Sequence, residues 1–258
     1  MTRGVMFDFS GTLFHIESVA DWFDTLGLDL GPAERAAAVR RLTEAGAQPG
    51  GPQPLRPPGG WSERDTSAER HRDAYTAQTR AALLDALGLD ALGLDTVGLD
   101  APGGGTDGDG ERVDELAARL YQRHLSADAW QPYPDAEPVL KELRRRGIPV
   151  AVVSNIGWDL RPVFVRSGLD QLVDAFVLSF ELGVQKPDPL VFRTACERLG
   201  LPPAEVMMVG DHRPDDGGAM ALGCPFYEVR ALPVAERPDG LLPVLDLVLA
   251  QPGCEDAG

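Results

Sequence analysis

Val5-Met6-Phe7-Asp8-Phe9-Ser10-Gly11-Thr12-Leu13 sets a carboxylate at the end of an apolar run, with a glycine turn directly after it. A short, unbroken apolar run is how a strand buried on both faces of a parallel sheet reads. Open sheets of that kind bind ligands in the crevice at the carboxyl ends of their strands. Asp8 is therefore delivered to a binding position. A carboxylate buried there is costly unless it is paired or metal-bound, which favours a functional group over a plain turn residue.

Working outward, the pattern from Tyr133 onward alternates helices with apolar strands. Helices are expected from Asp135 to about Gly147, Asp159 to Ser167, Pro189 to Leu199 and Asp216 to Leu222. Strands are expected at Ile148–Val153, Phe176–Leu178, Val206–Val209 and Pro225–Val229. Such alternation predicts an α/β fold, a Rossmann-like parallel sheet with helices on both faces. Each strand ends in a chemically distinct group: Asp8, then Ser154-Asn155, then Lys186 in Gln185-Lys186-Pro187-Asp188, then Gly210-Asp211 with Asp215 and Asp216 close behind. In a parallel sheet these ends converge on one crevice. Lys141 and Lys186 are the only lysines in a chain that otherwise uses Arg. A compact ammonium suits a phosphate or a buried carboxylate. Ser154 reads as a helix N-cap, a geometry that also aims backbone N–H groups at an anion.

Four motifs in this order, each after its own strand, resemble those of the haloacid dehalogenase-like hydrolases across about 1–15 and 130–230. The Asp21–Leu125 region resembles that family's inserted helical cap. The resemblance implies a core of 1–15 and 130–250, a cap of 16–129 with flexible loops at about 46–60 and 86–110, and a disordered tail at 251–258. It implies Asp8 as nucleophile, with Ser154 and Lys186 as catalytic partners, and substrate contacts from Ser10, Gly11, Thr12 and Asn155. For the metal it implies Mg²⁺, held by Asp8, the Ser10 carbonyl, Asp211 and an acid at Asp216 or Asp215. Hard oxygen ligands suit that ion. Asp216 is the preferred of the two because it opens the Gly217-Gly218 turn.

Where the family usually carries a second Asp, as general acid/base, this chain has Ser10. Ser10 has no protonation change near neutral pH, and general acid–base catalysis contributes about 10²–10⁴-fold. The expectation is a Mg²⁺-dependent phosphatase of a small phosphorylated metabolite, working through an Asp8 phosphoaspartyl intermediate and slow with poor leaving groups. Two alternatives stand beside it. One is a non-catalytic phospho-ligand-binding or interaction protein. The other is a dehalogenase-like hydrolase of a non-phosphate substrate through an Asp8 ester. His212 and His15 are the side chains nearest in sequence that could replace the acid/base, and both read as loop or surface residues. Residues 16–129 contain no lysine, which argues against a Schiff-base chemistry from the cap.

A net charge of −16 over 258 residues argues against nucleic acid or an anionic membrane as partner. No apolar run approaches the roughly 18–20 residues of a membrane span. Cys196, Cys224 and Cys254 match no zinc or redox spacing. A cytoplasmic monomer or homodimer is expected. Within the insertion, helices are expected at Asp21–Leu26, Pro32–Ala45, Ser62 to about Leu87 with Ser62 as N-cap, and Val113–Leu125. The Pro/Gly-rich Gly46–Gly60 stretch and the Leu-Gly-Leu-Asp repeats before Gly110 read as loops. Arg64, Arg70, Arg72 and Arg80 read mainly as a solvated, acid-paired helix face.

Overall fold

The computed structural model describes residues 2–46, 48, 60–86 and 106–249. In chain order the elements begin with β1 (Gly4–Phe7), β2 (Phe14–Ile16), α1 (Val19–Asp24), α2 (Pro32–Glu44), α3 (Ala68–Ala86) and α4 (Thr106–Leu125). There follow β3 (Trp130–Pro132), α5 (Ala136–Arg145), β4 (Val150–Ser154), α6 (Arg161–Ser167), β5 (Ala175–Leu178) and α7 (Ser179–Leu182). The chain continues through α8 (Pro189–Leu199), β6 (Val206–Gly210), α9 (Arg213–Asp216), β7 (Phe226–Glu228) and α10 (Leu242–Leu249). Two compact units emerge: Met1–His15 with Asp65–Ser67 and Gln131–Gly258, and Ile16–Arg64 with Ala68–Trp130.

The first unit is the expected α/β fold. Its five strands run in the order β5-β4-β1-β6-β7, every pair parallel. Strands β1, β4 and β6 are buried along their whole lengths, which is why their sequences are apolar without alternation. Phe7 lies opposite both Val152 and Val209, so the residues after these three strands emerge at one level. One core cluster packs Met6, Val153, Val177, Phe192 and Met208 together. A second centres on Phe9, whose ring meets Phe14, Trp158 and Phe164 at centroid distances of 5.1, 6.4 and 6.1 Å.

The second unit is helical, its core built from Trp22, Phe23, Leu42, Leu83, Leu116 and Leu120. Trp22 Nε1 donates to the Leu120 carbonyl at 3.0 Å, so this large ring is buried without an unpaired donor. Strands β2 and β3 form a separate two-stranded sheet.

Several local expectations change. Helix α1 starts at Val19 because the Ser18 hydroxyl accepts from the Asp21 N–H. Ser62 caps no long helix: Trp61–Thr66 is a 3-10 turn, and α3 begins at Ala68. Residues 106–110, read as loop, belong to α4. The loop readings at 49–59 and 87–105 and the tail at 251–258 lie outside the described residues.

Candidate functional site

The site is assembled from the loops that follow β1, β4 and β6, plus the α7–α8 connection. Asp8 follows β1, its N–H held by the Val209 carbonyl at 2.9 Å. Lys186 is buried, at 3% exposure. Its Nζ donates to Asp8 Oδ1 at 2.7 Å, Asp216 Oδ1 at 2.6 Å and the Val153 carbonyl at 3.1 Å. An ammonium has three hydrogens, and here each has an acceptor. Oxygens of Asp8, Asp211 and Asp216 lie within 4.8 Å of one another.

Three clustered carboxylates against one ammonium leave two negative charges without a contacting cation when all are ionised. The titration behaviour follows. Burial pushes the Asp8 carboxyl well above its ordinary value; Lys186 works against that, while Asp216 and Asp211 add to it. Asp211 is raised by burial and then by Asp216, with Lys186 opposing. For Lys186, burial disfavours the charge, but Asp216 and Asp8 outweigh it and hold the ammonium above its usual range. The donor set fits a hard divalent cation, which would balance the excess charge with oxygen ligands.

The Ser10-Gly11-Thr12 turn after Asp8 is shaped around Asp211. Gly11 has φ of +77°, and a Cβ there would lie 2.4 Å from Asp211 Oδ2, so both backbone and space call for glycine. Gly210 is a close approach of another kind: a Cβ would fall 2.2 Å from Asp216 Oδ2. Thr12 is buried and its hydroxyl reaches Asp211 Oδ1 at 3.4 Å, which places it against the acid rather than open to a ligand.

Asp216 and Asp215 part company because neighbouring residues on a helix point about 100° apart. Asp216 is 1% exposed and accepts from Lys186 and from the His212 N–H at 3.0 Å. Asp215 faces outward and meets His212 Nδ1 at 2.9 Å, and it does not join the carboxylate cluster. His15 stands edge-on to Tyr133 at 5.2 Å.

One expectation about the β4 loop is corrected. Ser154 is the buried last residue of β4 and caps no helix, since α6 begins only at Arg161, after Leu160. Asn155 is committed to the backbone of Lys186: its Oδ1 accepts from Lys186 N at 2.7 Å and its Nδ2 donates to Lys186 O at 3.0 Å. It therefore fixes the lysine, which sequence reasoning missed although Ser-Asn followed a buried strand. Asp135 starts α5 but makes no capping bond; its Oδ2 accepts from Leu241 N at 2.5 Å. Arg237, in a Pro-rich stretch without a motif, donates to the Gly11 and Thr12 carbonyls at 2.6 Å each. No periodic or motif signal marks it in the sequence.

In the helical unit the four arginines have partners. Arg70 pairs with Glu63, Arg72 with Asp73 and Arg80 with Asp114, while Arg64 stacks over Trp61 at 4.5 Å.

A parallel sheet bearing Asp8, Lys186, Asp211 and Asp216 at its carboxyl ends can be set beside known proteins. The sequence profile of the haloacid dehalogenase-like hydrolases matches residues 2–223. The chain belongs to this family. A phosphoserine phosphatase from Thermus thermophilus is 38% identical over 107 residues, 41% of this chain and 42% of that one. An (S)-2-haloacid dehalogenase 4A from Burkholderia cepacia is 40% identical over 100 residues, 38% of this chain and 42% of that one. The matches thus span under half the length of these haloacid dehalogenase-like relatives. A solved structure described as a predicted phosphoglycolate phosphatase from Haemophilus somnus 129PT shares the fold. Its TM-score is 0.56 at 19% identity, covering 95% of this chain and 97% of that one. No helix among the described residues is long and apolar enough to cross a membrane.

Proposed function

We propose that this haloacid dehalogenase-like hydrolase is a Mg²⁺-dependent phosphatase of a small phosphorylated metabolite, with Asp8 as nucleophile. The supporting observation is the cluster of buried Asp8 and Asp216 with half-buried Asp211, whose charge exceeds what Lys186 neutralises. Those three acids, with the Ser10 carbonyl, are the groups that would hold the ion. Bound Mg²⁺ supplies charge stabilisation to a transferring phosphoryl group.

The chain's own residues do the rest. An Asp8 oxygen attacks phosphorus, the bond from phosphorus to the leaving oxygen breaks, and an acyl phosphate remains on Asp8. Water then attacks that phosphorus, releasing inorganic phosphate and restoring the Asp8 carboxylate. Lys186 keeps the Asp8 side chain in one orientation and opposes its protonation. Ser10 gives the leaving oxygen no acid, so its proton comes from solvent. Substrates whose leaving group is stable as an anion are favoured for that reason.

A phosphate-ester screen with Mg²⁺, on wild type, Asp8→Asn and Ser10→Asp, tests this. Asp8→Asn should abolish turnover, and Ser10→Asp should speed poor leaving groups by up to about 10²-fold. Wild type without turnover, or an Asp8→Asn variant as active as wild type, would overturn the proposal. The likeness to a haloacid dehalogenase supports one rival, an Asp8 ester formed on a haloacid. Chloride release from 2-chloropropionate that persists in EDTA would favour that rival.

A further inference from the structure

Arg237 is an arginine buried to 4% exposure, far in sequence from every motif, yet its guanidinium reaches the turn that carries the nucleophile. One terminal nitrogen donates to the Gly11 carbonyl and the other to the Thr12 carbonyl, both at 2.6 Å. The same guanidinium sits over the Tyr133 ring, its central carbon 3.3 Å from the ring centroid, and Gly240 lies against the Arg237 stem. A Cβ at Gly240 would come within 2.8 Å of the Arg237 side-chain carbons.

The segment that bears Arg237 is itself tied down. Tyr133 Oη donates to the Leu232 carbonyl at 3.0 Å, and Tyr227 Oη donates to the Gly240 carbonyl at 3.3 Å. Asp135 Oδ2 accepts from Leu241 N. Arg237 is thus a fixed fork between an anchored segment and the Asp8 turn.

We propose that Arg237 is a positioning residue for the hydrolytic reaction at Asp8, acting through the Gly11 and Thr12 carbonyls. A planar trans peptide points its C=O and N–H in opposite directions. Fixing the Gly11 carbonyl on Arg237 therefore fixes where the Thr12 N–H points, and with it the rotation of the Ser10-Gly11-Thr12 backbone. A planar guanidinium suits this task because its donors sit in a rigid fork. In a chain with Ser10 where the family usually carries its second Asp, turnover rests more heavily on the exact placement of what remains.

The catalytic half of this inference rests on the phosphatase reading; the structural half does not. The test compares wild type, Arg237→Gln, Arg237→Lys and Gly240→Ala. It reads kcat and KM on p-nitrophenyl phosphate with Mg²⁺, and amide exchange in residues 8–14 against a β5 control. Misplacement by an ångström can cost about 100-fold, so Arg237→Gln should lose about 10- to 100-fold in kcat, with KM within about threefold. Exchange should quicken in residues 8–14 while β5 is unchanged, and Arg237→Lys should recover part of both. Gly240→Ala, whose methyl would press on the Arg237 stem and shift the fork, should move both readouts in the direction of Arg237→Gln, so the inference stays testable if Arg237→Gln folds poorly. Unchanged exchange in residues 8–14 would overturn the proposal, as would exchange that rises equally in β5. If wild type turns over no phosphate ester, the phosphatase reading fails, and the exchange comparison alone decides whether Arg237 positions the Asp8 turn.

Discussion

One ion-paired cluster in the α/β unit and one ion pair in the helical unit use charge in opposite ways. In the first, Lys186 and Asp216 are 3% and 1% exposed at the side chain and bonded to each other at 2.6 Å, with Asp8 on the same ammonium. In the second, Arg80 and Asp114 meet at 2.5 Å with side chains 43% and 58% exposed. A contact of similar length therefore has a different meaning in the two places. Water screens the second pair, whereas the first is maintained against the cost of burying its charges. A largely buried cluster with excess negative charge is expensive to keep as mere structure, and that marks the Asp8 cluster as the group carrying chemistry.

The largest effect should come from removing the cation at the centre of the cluster. Lys186→Met leaves Asp8 and Asp216 buried without their shared partner, and breaking a buried pair from one side costs about 3–5 kcal/mol. Denaturant unfolding at pH 7.5 should show that loss, and turnover should vanish. The sign with pH is set by the acids: burial and mutual repulsion already raise Asp8 and Asp211, and losing the ammonium raises Asp8 further. These carboxyls take up protons as pH falls, so the deficit should shrink towards pH 5. A deficit that stays constant from pH 7.5 to 5 would show that the cost is packing alone.

This contrast also explains what could be read from the sequence. Strands β1, β4 and β6, with the residues that end them, were legible because burial on both faces demands apolar runs and any polar residue there stands out. Asp8 and Asp211 were found that way, Lys186 by the scarcity of lysine and Asp216 by the family resemblance and its place before Gly217, and the structure brings all four together. The supporting bonds were not legible. Asn155 holds the Lys186 backbone across 31 positions, and Arg237 reaches Gly11 across 226. Polar residues in loops satisfy partners that only the fold brings near. Ser154 and Ser62 misled for a related reason: a serine before a helical pattern resembles a cap whether or not a helix starts there.

A middle-sized effect belongs to His124, a buried histidine of the helical unit. His124 is buried among His71, Tyr75, Tyr121 and Trp130, and burial, then the neighbouring His71, holds its pKa well below the ordinary value. Its contribution to stability has a definite sign. Below about pH 6.5 the unfolded chain protonates this imidazole while the native state refuses the proton, so stability falls as pH drops. The slope is up to about 1.4 kcal/mol per pH unit, down to the lowered native pKa. His124→Phe keeps an aromatic ring and removes the titration. The difference in unfolding free energy between the two proteins should therefore move in favour of the variant between pH 6.5 and 5. A difference independent of pH would mean that His124 titrates in the native state as it does unfolded.

The smallest effect should come from the surface pairs, and it sharpens the opening contrast most directly. Arg80→Ala removes a contact to Asp114 as short as those in the buried cluster. Because both side chains are substantially exposed, the lost attraction is screened, and the freed side chains regain rotamer entropy. The expected change in unfolding free energy is under about 1 kcal/mol, smaller still at high salt. Arg72 and Arg80 also line a groove with Thr76, Tyr121 and Gln122 between α3 and α4, so the same variant asks whether they hold an anion there. If Arg80→Ala costs as much stability as Lys186→Met, exposure does not separate the two units. If it instead raises KM for a phosphate ester with kcat unchanged, the arginines of the helical unit are substrate contacts and not a solvated face.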